Sequence, residues 1–175
     1  MYHPLLVFDG HTGHLITALL RAGNTHGSNS AVALLKRLVC GLREAWPGVA
    51  IELRAEAGFA LPALYDDDCE EGGITYTVGL VSNPRLEGMD EDLLDEAKGR
   101  YETDGHKARL FSEGLYGAAG WGHPRRVVYK AEAMEQGTNT RFLVTTSTEG
   151  PEDLYTFSTS GGGRARTGSR TSRCT

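Results

Sequence analysis

Glu56 is the first residue of this chain whose type and place could do chemistry. It follows Val49–Arg54, a run that reads as a strand, and precedes Ala57-Gly58-Phe59. Sheets flanked by helices set their reactive groups at strand ends. A solvent-facing acid at a loop start explains the same residues, and exposure is the commoner state of Glu. Asp66-Asp67-Asp68 with Glu70-Glu71 offers the oxygen ligands that a hard divalent cation takes. Such a run is more often the solvated face or end of a helix. His3, His11, His14 and His26 lie close in sequence, and His11-x-x-His14 has a metal-pinching spacing. They straddle a hairpin tip without a Cys or carboxylate at ligand spacing, so a surface turn is the reading preferred. Arg125, Arg126 and Lys130 fall on a predicted strand, where they could touch phosphate. Charges that guard an edge strand against aggregation are an equal explanation. Gly161-Gly162-Gly163 is no phosphate loop: no strand leads into it, no helix follows, and Gly-Lys-Ser/Thr is missing.

The elements that must position these groups follow from hydrophobic spacing and turn chemistry. Leu5–Phe8 and Leu15–Leu20 predict two strands around an Asp9–Gly13 turn. Val32, Leu35, Leu38, Val39, Leu42 and Trp46 recur at three- and four-residue spacing and predict a helix over Ser28–Trp46. Ser28 or Ser30 would cap it, and Pro47-Gly48 would stop it. A strand at Val49–Arg54, a helix over Leu61–Glu71 and a strand at Ile74–Leu80 come next. Asn83-Pro84 breaks the pattern. A weakly amphipathic acidic helix covers Asp90–Tyr101, and strands at Arg125–Ala131 and Arg141–Thr145 flank the turn "EQGTNT". The order predicts an α/β fold, a mixed sheet with helices packed against it.

At 175 residues, 39% of them hydrophobic and 23% charged, the chain has the composition of one globular domain. Its net charge is −5, and every acid lies before Ser158; Met1–Phe157 carries 14 basic and 23 acidic residues. An acidic body does not announce nucleic-acid binding, so any attraction to DNA would be local or metal-mediated. Three widely spaced cysteines exclude a disulfide framework and point to a reducing compartment. With no apolar run of membrane-spanning length and no signal-peptide plan, the expected location is cytoplasmic.

The phrases "YHPLLVFDGHTGHLITALLRAGNTHGS", "LKRLVCGLREAWPGVAIELRAEAGFALPALYD", "ITYTVGL" and "NPRL" occur in that order. "RRVVYKAE" and "GTNTRFLVTT" follow them. Together they resemble bacterial insertion-sequence transposases with an Asp-Asp-Glu catalytic domain. The nearest group is the IS-four-like set, and within it the IS thirteen-eighty branch. The likeness spans roughly Tyr2 to Phe157. It implies a ribonuclease-H-like fold with a β-rich insertion, DNA (the transposon ends) as partner, a transposase oligomer, and no membrane. It also implies strand cleavage and transfer supported by two Mg²⁺ ions on three carboxylates, hard cations on hard ligands that stabilise both oxygens of an in-line displacement.

The chain departs from that pattern at each acid. The first Asp belongs on a strand before "YHPLL", and Met1 leaves no room for it. The second position holds Glu56, which keeps the charge but moves the carboxylate by roughly a bond length; about 1 Å of misplacement can cost on the order of a hundredfold in rate. Glu56 is therefore the candidate catalytic and metal-binding residue. The third acid, a Glu opening "ENRIK", would fall in the tail. Synonymous codons for Ala165–Cys174, "ARTGSRTSRC", read from the third base of the Ala165 codon, permit "ENRIKDFKVH", and the same shift over Ser158–Gly161 permits "YVRR". The expectation is a partial ribonuclease-H-like mixed sheet over residues 1–157, lacking its first strand. A disordered, out-of-frame tail over 158–175 would follow, in a fragment that is catalytically inactive. A non-catalytic DNA-binding or inhibitory fragment is the alternative.

Overall fold

The computed structural model describes residues 2–24, 30–70 and 72–159. Strands β1 (Leu5–Phe8) and β2 (Leu15–Leu19) pair antiparallel, with Leu5 opposite Leu19. Their turn is organised by Asp9, whose carboxylate accepts from the His11 backbone N–H at 2.9 Å and the Thr12 hydroxyl at 2.6 Å. This pair forms a two-stranded sheet of its own.

Helix α1 covers Ala31–Ala45. Ser30 precedes it in the left-handed region (φ 67°), and its side chain makes no capping bond, which corrects its expected role. Ser28 and His26 lie outside the described residues. Strand β3 (Glu52–Ala55) follows, then a 3₁₀ turn at Ala57–Phe59. Where an ordinary helix is predicted over Leu61–Glu71, the chain forms a π-helix at Leu64–Glu70. Its wider turn sends Leu64, Tyr65 and Cys69 into the core.

Strand β4 (Thr75–Leu80) lies parallel to β3. Helix α2 then runs from Pro84 to Asp104, longer at both ends than Asp90–Tyr101. Asn83-Pro84 starts this helix and does not interrupt it. The Asn83 side chain accepts from Arg85 N–H at 3.1 Å and Leu86 N–H at 3.2 Å, and Pro84 fills the first helical position, where no N–H is needed. Gly105, in the left-handed region (φ 67°), closes the other end. Strands β5 (Ala108–Tyr116), β6 (Arg125–Met134) and β7 (Gly137–Thr145) form an antiparallel meander. The β6–β7 turn is shorter than "EQGTNT": Met134 pairs with Gly137, whose φ of 116° suits only glycine. Helix α3 spans Pro151–Thr159 and so crosses the expected boundary at Phe157; residues 160–175 are outside the described set.

The main sheet has the order β3-β4-β7-β6-β5, with one parallel and three antiparallel pairings. This is the predicted α/β class with a mixed sheet. Strand alternation divides its faces. Tyr76, Val78, Val127, Phe142 and Val144 point to one face, where they meet α1, the π-helix and α2. Each such side chain, fully buried, contributes about 1.5–3 kcal/mol. Phe111, Val128 and Leu143 point the other way and pack against Leu154 and Tyr155 of α3.

One group in this core is out of place. Asp90 of α2 is 2% exposed, and its Oδ2 has no hydrogen-bond partner among the described residues. Burial raises its pKa above the usual carboxylate range, and Thr140 offsets this only in part. An acid whose folded pKa is raised stabilises fully below its unfolded pKa and loses that contribution as pH rises through the folded value. Asp90→Asn is therefore expected to raise stability by about 1 kcal/mol at neutral pH and to change little in acid. Urea midpoints at the two pH values check this, and an equal gain at both would refute the titration.

Candidate functional site

Glu56 stands directly after β3, at the end of the parallel pair. Its backbone is extended (φ −72°, ψ 164°), and its carbonyl accepts from Phe59 N–H at 2.9 Å, which closes the 3₁₀ turn. That turn lies against β4 at Gly79. A Cβ there would come 2.9 Å from Ala57 N, so glycine is what lets the backbone beside Glu56 approach the sheet. The Glu56 side chain is exposed. It belongs to no cluster of three potential metal ligands among the described residues.

The one such cluster among them is elsewhere. Asp66 and Glu70 of the π-helix and His123, just before β6, bring ligand atoms within 4.8 Å of one another. Arg125 sits at its centre with its side chain 2% exposed. Its Nε donates to Glu70 at 2.8 Å and its Nη2 donates to Asp66. The Tyr76 hydroxyl donates to the same Glu70 oxygen at 2.8 Å, and His123 Nε2 lies 3.3 Å from the other. Tyr65 and Trp121 place their rings 5.2 Å from the guanidinium. Burial pushes the Glu70 carboxyl up, but hydrogen bonds from Arg125 and Tyr76 outweigh this and hold it below the usual range. A Mg²⁺ ion here would meet a fixed cation. At about 4 Å and an effective dielectric of about 20, a like unit charge repels by about 4 kcal/mol, more for a divalent ion. The cluster fits an ion-pair brace and does not fit a Mg²⁺ centre.

The other residues singled out from sequence are scattered. Arg125 and Arg126 point to opposite faces of the sheet. Arg126 donates to Glu113 across β5 and to the carbonyls of Ser147 and Glu149. Lys130 is 8% exposed, 2.8 Å from Glu132, with its ammonium 5.6 Å from the Tyr155 ring centre. The edge-guarding explanation is corrected: β6 lies inside the sheet, between β7 and β5. His11 and His14 are exposed in the β1–β2 turn.

Sequence reasoning missed Glu132. Its side chain is 4% exposed and accepts from Lys130 at 2.8 Å, Lys107 at 2.9 Å, Arg109 at 2.7 Å and Asn139 at 3.1 Å. Burial would raise its pKa, but these donors together drive it far below the usual carboxylate range. Lys130 and Glu132 at i, i+2 on one strand was the one local signal. Lys107, Arg109 and Asn139 come from neighbouring strands and the α2–β5 loop.

Residues 1–165 match the family model for the transposase DDE domain, group 1, and the chain belongs to that family. No curated protein and no solved structure matches it. Among the described residues, no helix is long and apolar enough to cross a membrane.

Proposed function

We propose that this chain is a segment of an insertion-sequence transposase of the IS-four-like type, nearest the IS thirteen-eighty branch, that does not itself cut or join DNA. One observation carries the reading: Glu56, at the family's second acidic position, is exposed and belongs to no cluster of three potential metal ligands among the described residues. The family's chemistry on DNA uses divalent metal held by several carboxylates, and a single exposed one is not enough.

The sheet supports the same reading. In a ribonuclease-H-like fold the first strand lies between the hairpin and the strand before the second acid. Here β1–β2 is a separate two-stranded sheet, and among the described residues no strand pairs with the outer edge of β3. That is where such a strand would pair. Helix α2 with β5–β7 corresponds to the β-rich insertion. A change of reading frame within Ser158–Thr175, which synonymous codons permit, would account for loss of the helix that carries the third acid. DNA sequence lacking an "ENRIK" reading in the alternate frame would remove that part.

Incubated with supercoiled plasmid or insertion-end duplexes in millimolar Mg²⁺ or Mn²⁺, the purified chain is expected to give no nicking above buffer. Metal-dependent nicking that Glu56→Gln abolishes would overturn the proposal.

A further inference from the structure

We propose that the sheet face around Glu132 is a binding site for the phosphodiester backbone of duplex DNA. This rests on DNA being the partner of the family, and it adds a site that the acidic positions do not include. Arg109 and Glu132 are opposite each other in register, as are Lys130 and Arg141, so all four side chains share one face. Lys107 joins them from the α2–β5 loop at 2.9 Å from Glu132. Lys107, Arg109, Lys130 and Arg141 against Glu132 leave an excess of three positive charges, in a chain whose net charge is −5.

One cation is enough to neutralise a buried carboxylate. Three cations and an amide on Glu132 exceed what stability asks of it. The arrangement also leaves donors unspent. Arg109 is 50% exposed and bonds Glu132 through Nε, so its terminal amino groups donate to no described residue. Lys107 is 44% exposed with one of its three donors engaged. Arg141 is exposed, and its side chain pairs with no described acid.

Glu132 thus holds two exposed cations at fixed positions before any ligand arrives, which lowers the ordering cost of binding. Beside them opens a cleft of about 490 Å³, lined by Arg100, Asp104, His106, Lys107, Ala108 and Arg109. Asp104 and the Arg100–Glu96 pair at 2.6 Å moderate its charge, which leaves Lys107 and Arg109 as its main donors. Arginine forks and lysine point charges suit phosphate oxygens. Contacts of this kind position a duplex without reading its sequence.

Fluorescence anisotropy of the full chain with a mixed-sequence duplex, across a salt series, tests the site. The variants are Lys107→Gln, Arg109→Gln, Arg141→Gln and their triple combination, with Lys98→Gln as a control of equal charge on α2. Circular dichroism confirms that each is folded, and Glu132 and Lys130 stay untouched. Each single change is expected to weaken binding several-fold. The triple is expected to flatten the slope of log K against log salt by about 2 to 3, close to one for each phosphate left without its cation. Lys98→Gln should leave the slope unchanged. If the parent binds and the triple variant binds equally, the site is wrong and DNA remains the partner through other residues. If the parent fails to bind even at low salt, both the site and DNA binding by this chain fall.

Discussion

Arg125→Ala is expected to destabilise the chain by about 3 kcal/mol, at the lower end of what removing one partner of a buried ion pair costs. The Asp66 and Glu70 side chains are 38% and 24% exposed, so water recovers part of the loss. The Arg125 side chain is almost wholly buried and ties three elements: the π-helix through its two carboxylates, β6 through its own backbone, and the loop before β6 through Trp121. Without it, two carboxylates face each other beside apolar rings. For a domain of this size, a destabilisation of about 3 kcal/mol lowers Tm by roughly 6–12 °C. Arg125→Lys keeps the charge but cannot reach both acids with one planar fork, and it should recover only part of the loss. A loss below about 1 kcal/mol in urea denaturation would show that the cluster braces nothing and that its acids are open to another cation.

Glu132→Gln should have a similar cost, about 3 kcal/mol at neutral pH, because it strips the counter-charge from buried Lys130 and from the two cations beside it. Its pH dependence is the sharper test. A carboxyl whose folded pKa is depressed contributes stability that is present above its unfolded pKa, near 4.5, and is lost as pH falls through the folded value. The folded value of Glu132 is far below 4.5, so the loss extends from about pH 4.5 well into acid. Glu70, held low by Arg125 and Tyr76, adds to it in the same direction. The Glu132→Gln variant should lose less stability than the parent across that range. Parallel curves for the two proteins would mean that Glu132 titrates normally.

What the sequence made legible were the elements whose pattern is local. The β1–β2 hairpin, α1, β3, β4 and the β6–β7 pair follow from spacing and turn residues. Strand β5 was missed because "ARLFSEGLY" has a glycine inside it and charges on the face that later meets Glu132 and Arg126. Pro84 reads as a breaker because proline does two opposite jobs, and only the Asn83 cap decides which. The sites failed for a different reason. Asp66 and Glu70 were visible as acids, but Arg125 is 59 and 55 residues away. Nothing local distinguishes an acid that faces water from one that faces a distant arginine. Glu56 is the reverse case: its place after a strand and the family likeness singled it out, where its own neighbourhood shows an exposed side chain at a turn.

The β1–β2 sheet exposes Leu6, Phe8, Leu15 and Ile16, with Tyr2 and Leu20 beside it. Two strands alone are marginal in water, and apolar side chains of this kind are what chaperones and proteases triage. The chain's abundance in a cell then follows a race between the covering of that hairpin and its capture. A peptide able to pair with it would act on lifetime before it acted on any chemistry.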